Sequence, residues 1–128
     1  MPDLGDRSSV TGLQPIAKRF VVPPAMLAAA DHILDLLAQG RRAELETLVV
    51  AKTAGELREL MDAIAPGAYE SHKIIATAKA ANHYFVKARL FGAREASFTL
   101  QLRLGEHDGR WVIWEAVNLA GGRTAWTR

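Results

Sequence analysis

Three side chains in the second half of the chain have types suited to acid–base chemistry: Glu115, His72 and Tyr84. Glu115 stands in RWVIWEAVNL (110–119), a lone carboxylate in a nearly continuous apolar run. A carboxylate held in an apolar pocket is a candidate general base. His72 is its candidate acid, since imidazole is the side chain that changes charge near neutral pH. Tyr84 is the candidate hydroxyl that orients a ligand. Together they would suit a lyase or isomerase that needs no cofactor. Each also has a structural reading. Glu115 can pair with an Arg or Lys, or face solvent, because an unpaired buried carboxylate is costly. His72 can sit at a rim with one hydrogen bond, and Tyr84 can pack its ring and give its hydroxyl to a carbonyl.

Two further clusters carry less. Asp31, His32 and Asp35 fall on the polar face of a helix, where solvated surface is the better reading than a metal site. Glu106, His107 and Asp108 surround a hairpin tip, where a turn role is expected. No metal or cofactor is expected. The phosphate-binding, dinucleotide-binding, zinc-protease and nucleophile-elbow motifs are all absent. With no cysteine in the chain, thiolate catalysis and disulfides are excluded.

The elements that must position these residues read as helices first and strands second. The 128 residues suit one domain. Residues 1–22, rich in Gly, Ser and Pro, read as an arm in which IAKRFVV (16–22) can dock as an extended segment. Residues 23–119 form the domain and 120–128 a Gly-rich tail. Pro23-Pro24 opens a helix that Gly40 stops, with Met26, Ala30, Ile33, Leu34 and Leu37 on one face. A second helix is expected in RRAELETLVV (41–50). A third starts at Thr53, where Thr53 and Glu56 have the spacing of a capping box, and ends before Pro66-Gly67.

After Gly67 the period becomes two, giving strands at 69–80, 83–91, 97–104 and 110–119 joined by short turns. Asp108-Gly109 is the strongest hairpin signal. Phe98, Leu100, Leu102 and Leu104 should face the helices. Solvent-seeking lysines and arginines then put His72, Ile74, Ala76 and Ala78 inward on the first strand, and Tyr84, Val86, Ala88 and Leu90 inward on the second. An even-numbered last loop brings Trp111, Ile113, Glu115, Val117 and Leu119 to the same face. An odd one would turn Trp114 and Asn118 inward. The even loop is preferred because it buries more aliphatic residues. Helices followed by an antiparallel run make an α+β fold.

This arrangement resembles the nuclear-transport-factor-2-like, or SnoaL-like, superfamily over residues 23–119. The carriers of the resemblance are the first helix ending in LAQGRRAELETLV, the four-strand meander, and DGRWVIWEAVNL, which looks like the D-G-x-W-x-I signature of that group. The resemblance implies three helices on a strongly curved, cone-like sheet, an open barrel with a pocket beneath the helices, and commonly a homodimer. It implies no single activity, because one fold hosts many.

The leading expectation is therefore a protein that binds a small, largely apolar molecule under the helices, a candidate lyase or isomerase. The alternative is a non-catalytic dimerisation or interaction module. The outer sheet face, with Phe85, Arg89, Arg103 and Trp114, is the expected homodimer surface, since apolar centres rimmed by arginine suit interfaces. Single-stranded nucleic acid fits the same face less well, because the net charge of +2 is modest. No apolar run is long enough for a membrane helix. MPDLGDRSSVTG lacks an apolar core, so no secretory signal is expected. A cytoplasmic setting follows.

Overall fold

The computed structural model describes residues 22–120. The arm over 1–21, and the tail from 121 with Trp126, lie outside the described residues. Helix α1 spans Pro24–Gln39. Proline suits its first turn, where no intrahelical N–H bond is lost. Gly40 ends it in the left-handed conformation at φ 73°. The predicted stripe of Met26, Ala30, Ile33, Leu34 and Leu37 is buried, and Asp31, His32, Asp35 and Gln39 are exposed.

The second helix is shorter than its pattern predicts. Helix α2 covers only Arg42–Glu46. Residues 47–50 leave the helix and run along the last strand instead. The Ile113 N–H donates to the Leu48 carbonyl at 2.7 Å, and the Val50 N–H donates to the Ile113 carbonyl at 3.1 Å. A 3₁₀ turn, Ala51–Thr53, then leads into α3, Ala54–Ala63.

The capping box predicted at Thr53 and Glu56 does not form. Thr53 makes no side-chain cap; its hydroxyl donates to the Trp114 carbonyl at 2.9 Å. The Glu56 carboxylate accepts the Ala116 N–H at 2.8 Å. Both side chains serve the edge of a strand 60 residues away, whose partly buried backbone groups cost more unpaired than the helix's own solvated donors.

The strands are β1 (Tyr69–Ala80), β2 (His83–Gly92), β3 (Ser97–His107) and β4 (Arg110–Asn118). They form one antiparallel sheet in the order β1-β2-β3-β4. Together with the three helices they make the expected α+β fold. Asp108 and Gly109 have φ of 54° and 79°, the two left-handed residues of a two-residue hairpin.

Val86, Ala88, Leu90, Leu100, Leu102 and Leu104 line the inner face with no exposure, packed with Met26, Ile33, Leu34, Leu37, Leu57 and Leu60. Burying each large aliphatic side chain stabilises the fold by about 1.5–3 kcal/mol. No helix among the described residues is long and apolar enough to cross a membrane.

Besides a register slip between Tyr69 and Ser71 at the start of β1, two bulges break the alternation within the sheet. In β1 the register slips between Ile74 and Ala76. In β4 Arg103 pairs with Glu115 but Leu104 pairs with Ile113, which leaves Trp114 as the extra residue. A bulge adds one residue and so reverses the facing of everything beyond it.

Candidate functional site

The β4 bulge decides where Glu115 points. The two-residue loop is even, so Trp111 and Ile113 face inward as predicted. Beyond Trp114 the facing inverts. Ala116 and Asn118 lie opposite the inward Leu102 and Leu100, while Glu115 lies opposite Arg103 and Val117 opposite Gln101. Glu115 is thus on the outer face, a correction to its expected inward position. The neighbouring guanidinium of Arg103 gives it a cross-strand partner of opposite charge.

His72 is on the inner face, at the far end of β1, paired with Leu90 of β2. Its Nε2 lies 2.9 Å from Asp31 Oδ1 and its Nδ1 3.2 Å from Asp35 Oδ1. Residues four apart on a helix share a face, so α1 presents both carboxylates as a fork around the ring. Carboxylates only accept, so both contacts are hydrogen bonds when the ring carries two protons. The helix aspartates read from sequence as plain surface are thus the partners of His72, and the trio ties α1 to the sheet. His72 and Glu115 occupy opposite faces, so the structure does not bring the candidate acid and base together. Because both aspartates are more than half exposed, His72→Ala is expected to cost only about 0.5–1 kcal/mol in denaturant unfolding. A change near zero would show that the fork carries no stability.

Tyr84 is the third candidate, and it lines a cleft. At the end of the sheet opposite His72, an open cleft of about 650 Å³ is bounded by Pro23 and Ala25 of the α1 start, the β1–β2 hairpin from Lys79 to Tyr84, Glu106 and Trp111. Volumes of this order hold small-molecule ligands. The rings of Tyr84 and Trp111 meet edge to face, with centroids 5.9 Å apart.

Lys79 reaches this face because of the β1 bulge. Lys73 pairs with the outward Arg89, yet Lys79, six residues on, pairs with the inward Tyr84. Thr77 and Lys79, rather than Ala76 and Ala78, are the inward residues of that half-strand. Glu106 pairs with Trp111 on the same face. Lys79, Glu106 and Trp111 were not predicted as site residues. Their one signal in the sequence is parity: a two-residue loop at Ala81-Asn82 forces Lys79 and Tyr84 onto one face.

Around the sheet end lies His83, on the outer face. The Arg103 Nε–H donates to its Nδ1 at 2.8 Å. The His83 and Trp114 rings lie 4.8 Å apart, both pressed on the bare backbone of Gly105. Burial first, then the charges of Arg103 and Lys52, hold the His83 imidazole below its ordinary value. The other residues of the expected dimer surface are also engaged within the chain. The Arg103 guanidinium lies 5.6 Å from the Phe85 ring centroid, and the Arg89 Nε–H donates to Thr99 Oγ1 at 3.0 Å. Among the described residues no cluster of three or more His, Asp or Glu side chains is arranged to hold a metal ion.

No family model matches the sequence, and no curated protein does either. Among solved structures, the fold is similar to that of a Campylobacter jejuni protein described as a candidate NTF2-like transpeptidase. The two superpose with a TM-score of 0.57 over 69% of this chain and 95% of the other, at 9% sequence identity. At that identity the likeness is one of fold: the chain has the nuclear-transport-factor-2-like fold.

Proposed function

Given that fold, we propose that the protein binds a small molecule in the cleft formed by Lys79, Tyr84, Glu106 and Trp111, at one end of the inner sheet face. The carrying observation is that cleft: an open space of about 650 Å³ where the Tyr84–Trp111 ring pair meets Lys79 and Glu106, an apolar patch beside polar groups that can orient a ligand. Binding is favoured over catalysis, because the expected base and acid, Glu115 and His72, face opposite sides of the sheet. The three bulged or irregular positions of β1 and β4 are devices that bend a sheet, in keeping with a cone whose mouth is the cleft.

The test uses N-phenyl naphthylamine, a neutral fluorescent aromatic probe. Its emission should rise on addition of the protein. Trp111→Ala should weaken its binding about tenfold, the loss expected when one aromatic wall worth roughly 1.4 kcal/mol is removed. His72→Ala, at the other end of β1, should leave it unchanged. An unaltered affinity in Trp111→Ala would place the probe elsewhere and end this reading.

The outer sheet face supports a second copy of the chain as partner. Phe91 is 37% exposed and Ile75 43%, the exposed large hydrophobics among the described residues; Phe91 stands on the outer face opposite Ser71 and Ser97. A native mass spectrum should show twice the chain mass, and Phe91→Glu should return it to the monomer. A monomer in the unaltered protein rules the dimer out.

A further inference from the structure

The cleft has a direction of charge, and we infer that its ligand is an organic anion with a flat apolar body, its acidic group held by Lys79. This rests on the binding reading above and narrows it to a ligand class.

The observation behind it is the β1 bulge. Period-two alternation from Lys73 would send Lys79 outward with the other cations of the sheet. The slip between Ile74 and Ala76 turns it onto the face of Tyr84 instead. Bulges recur where a sheet must re-aim a side chain. Lys79 lines the cleft and makes no ion pair with any described residue. Asp31 and Asp35 hold His72, and Glu106, the acid that lines the same cleft, stands on β3, two strands away, or about 10 Å across the sheet. An ammonium at a cleft wall with no carboxylate partner among the described residues is a place for a ligand's.

Glu106 sets the orientation. It pairs with Trp111, so the negative wall and the indole lie on one side, and Lys79 and the start of α1 on the other. Helix α1 has no acidic residue in its first turn, so its positive pole adds to the Lys79 side. An anion is therefore drawn to the β1 side and repelled from the β3 side. Its apolar body is left to lie over Tyr84 towards Trp111. A neutral ligand would have no reason to choose that direction, and a cation would be drawn to Glu106 and repelled by Lys79.

The experiment compares two probes of similar ring size on the full chain. Anilinonaphthalene sulfonate carries the acid; N-phenyl naphthylamine does not. Lys79→Gln, at an exposed position where the fold is not at stake, should weaken the sulfonate about fivefold, the effect of losing one solvent-screened charge contact, and leave the neutral probe within twofold, roughly the scatter of such affinities. Glu106→Gln should hold or tighten the sulfonate and leave the neutral probe alone. If Lys79→Gln leaves the sulfonate unchanged, or weakens both probes equally, the anion inference is overturned while the cleft stands. If neither probe responds to Trp111→Ala, the cleft itself is not the site, and both readings fall together. If Glu106→Gln is what weakens the sulfonate, the assigned orientation is wrong.

Discussion

Glu56→Leu is expected to lower the stability of the domain by about 1–3 kcal/mol, the cost of leaving a partly buried backbone donor without an acceptor. The donor is the Ala116 N–H, which lies just past the β4 bulge and is 2.8 Å from Glu56 Oε1. Among the described residues no fifth strand covers that edge of the sheet. Its partners come from the α2–α3 segment: the Leu48 carbonyl, the Val50 N–H, the Thr53 hydroxyl and the Glu56 carboxylate. Glu56→Gln keeps an acceptor at the same reach and should lose less than half as much. Two measurements check this. Denaturant midpoints should rank wild type, Gln, then Leu. Amide exchange at Ala116 should accelerate in the Leu variant and hardly in the Gln variant. Equal losses would show that Glu56 acts through the charge it places in the first turn of α3, worth about 0.3–1 kcal/mol, and not through the β4 edge.

Gly105→Ala is the second large effect, about 1–3 kcal/mol from overpacking. A Cβ at Gly105 would stand 2.3 Å from His83 Cδ2 and 2.9 Å from Trp114 Nε1. Neither ring can swing away without a loss. His83 is held by the Arg103 Nε–H, and Trp114 is stacked on His83. The strain is shared by the pair, so the same substitution made in a His83→Ala background should cost far less, a non-additivity expected of residues in contact. Near-ultraviolet circular dichroism of Trp114 should change in the single variant. Additive losses would mean that the glycine is required for its backbone and not for the rings.

The same histidine gives the fold an acid sensitivity with a definite sign. The native state holds His83 below 6.5, the ordinary value. As pH falls through 6.5 the unfolded chain takes up a proton that the native state resists, so the unfolded state gains and stability declines. The decline ends once pH is below the native value as well. Thermal midpoints followed from pH 7.5 to 5, a range of about one unit or more either side of the usual histidine value, should fall more steeply in the wild type than in His83→Gln. Parallel curves would remove His83 from the pH response.

Trp111 shows how far the sequence carried the site, and Glu115 shows where it stopped. The Asp108-Gly109 loop contains two residues, and that parity alone turned Trp111 and Ile113 inward, as the structure has them. The helix stripe from Met26 to Leu37, the stop at Gly40 and the four strands were equally legible, because each depends on the chemistry of adjacent residues. Glu115 lies four residues beyond Trp111 and should have shared its face. One inserted residue at Trp114 moved it to the other. Nothing local announces that bulge. It follows from what Thr53, Glu56 and residues 48–50 offer to the β4 edge, and those groups are 60 or so positions away.

By itself, then, the sequence determined the order of elements, the α+β class, the apolar stripe of the first helix and the two-residue hairpins. Periodicity and turn chemistry are short-range, and they survive without a partner. The tertiary structure alone decided the facing of the strand halves beyond the two bulges. A period of two has no tolerance for a single extra residue, so the bulges at Ile75 and Trp114 exchanged the roles of two charged residues: Lys79 entered the cleft and Glu115 left the inner face. His72 was likewise settled by contact, since only the packing of α1 across β1 sets Asp31 and Asp35 on either side of its ring.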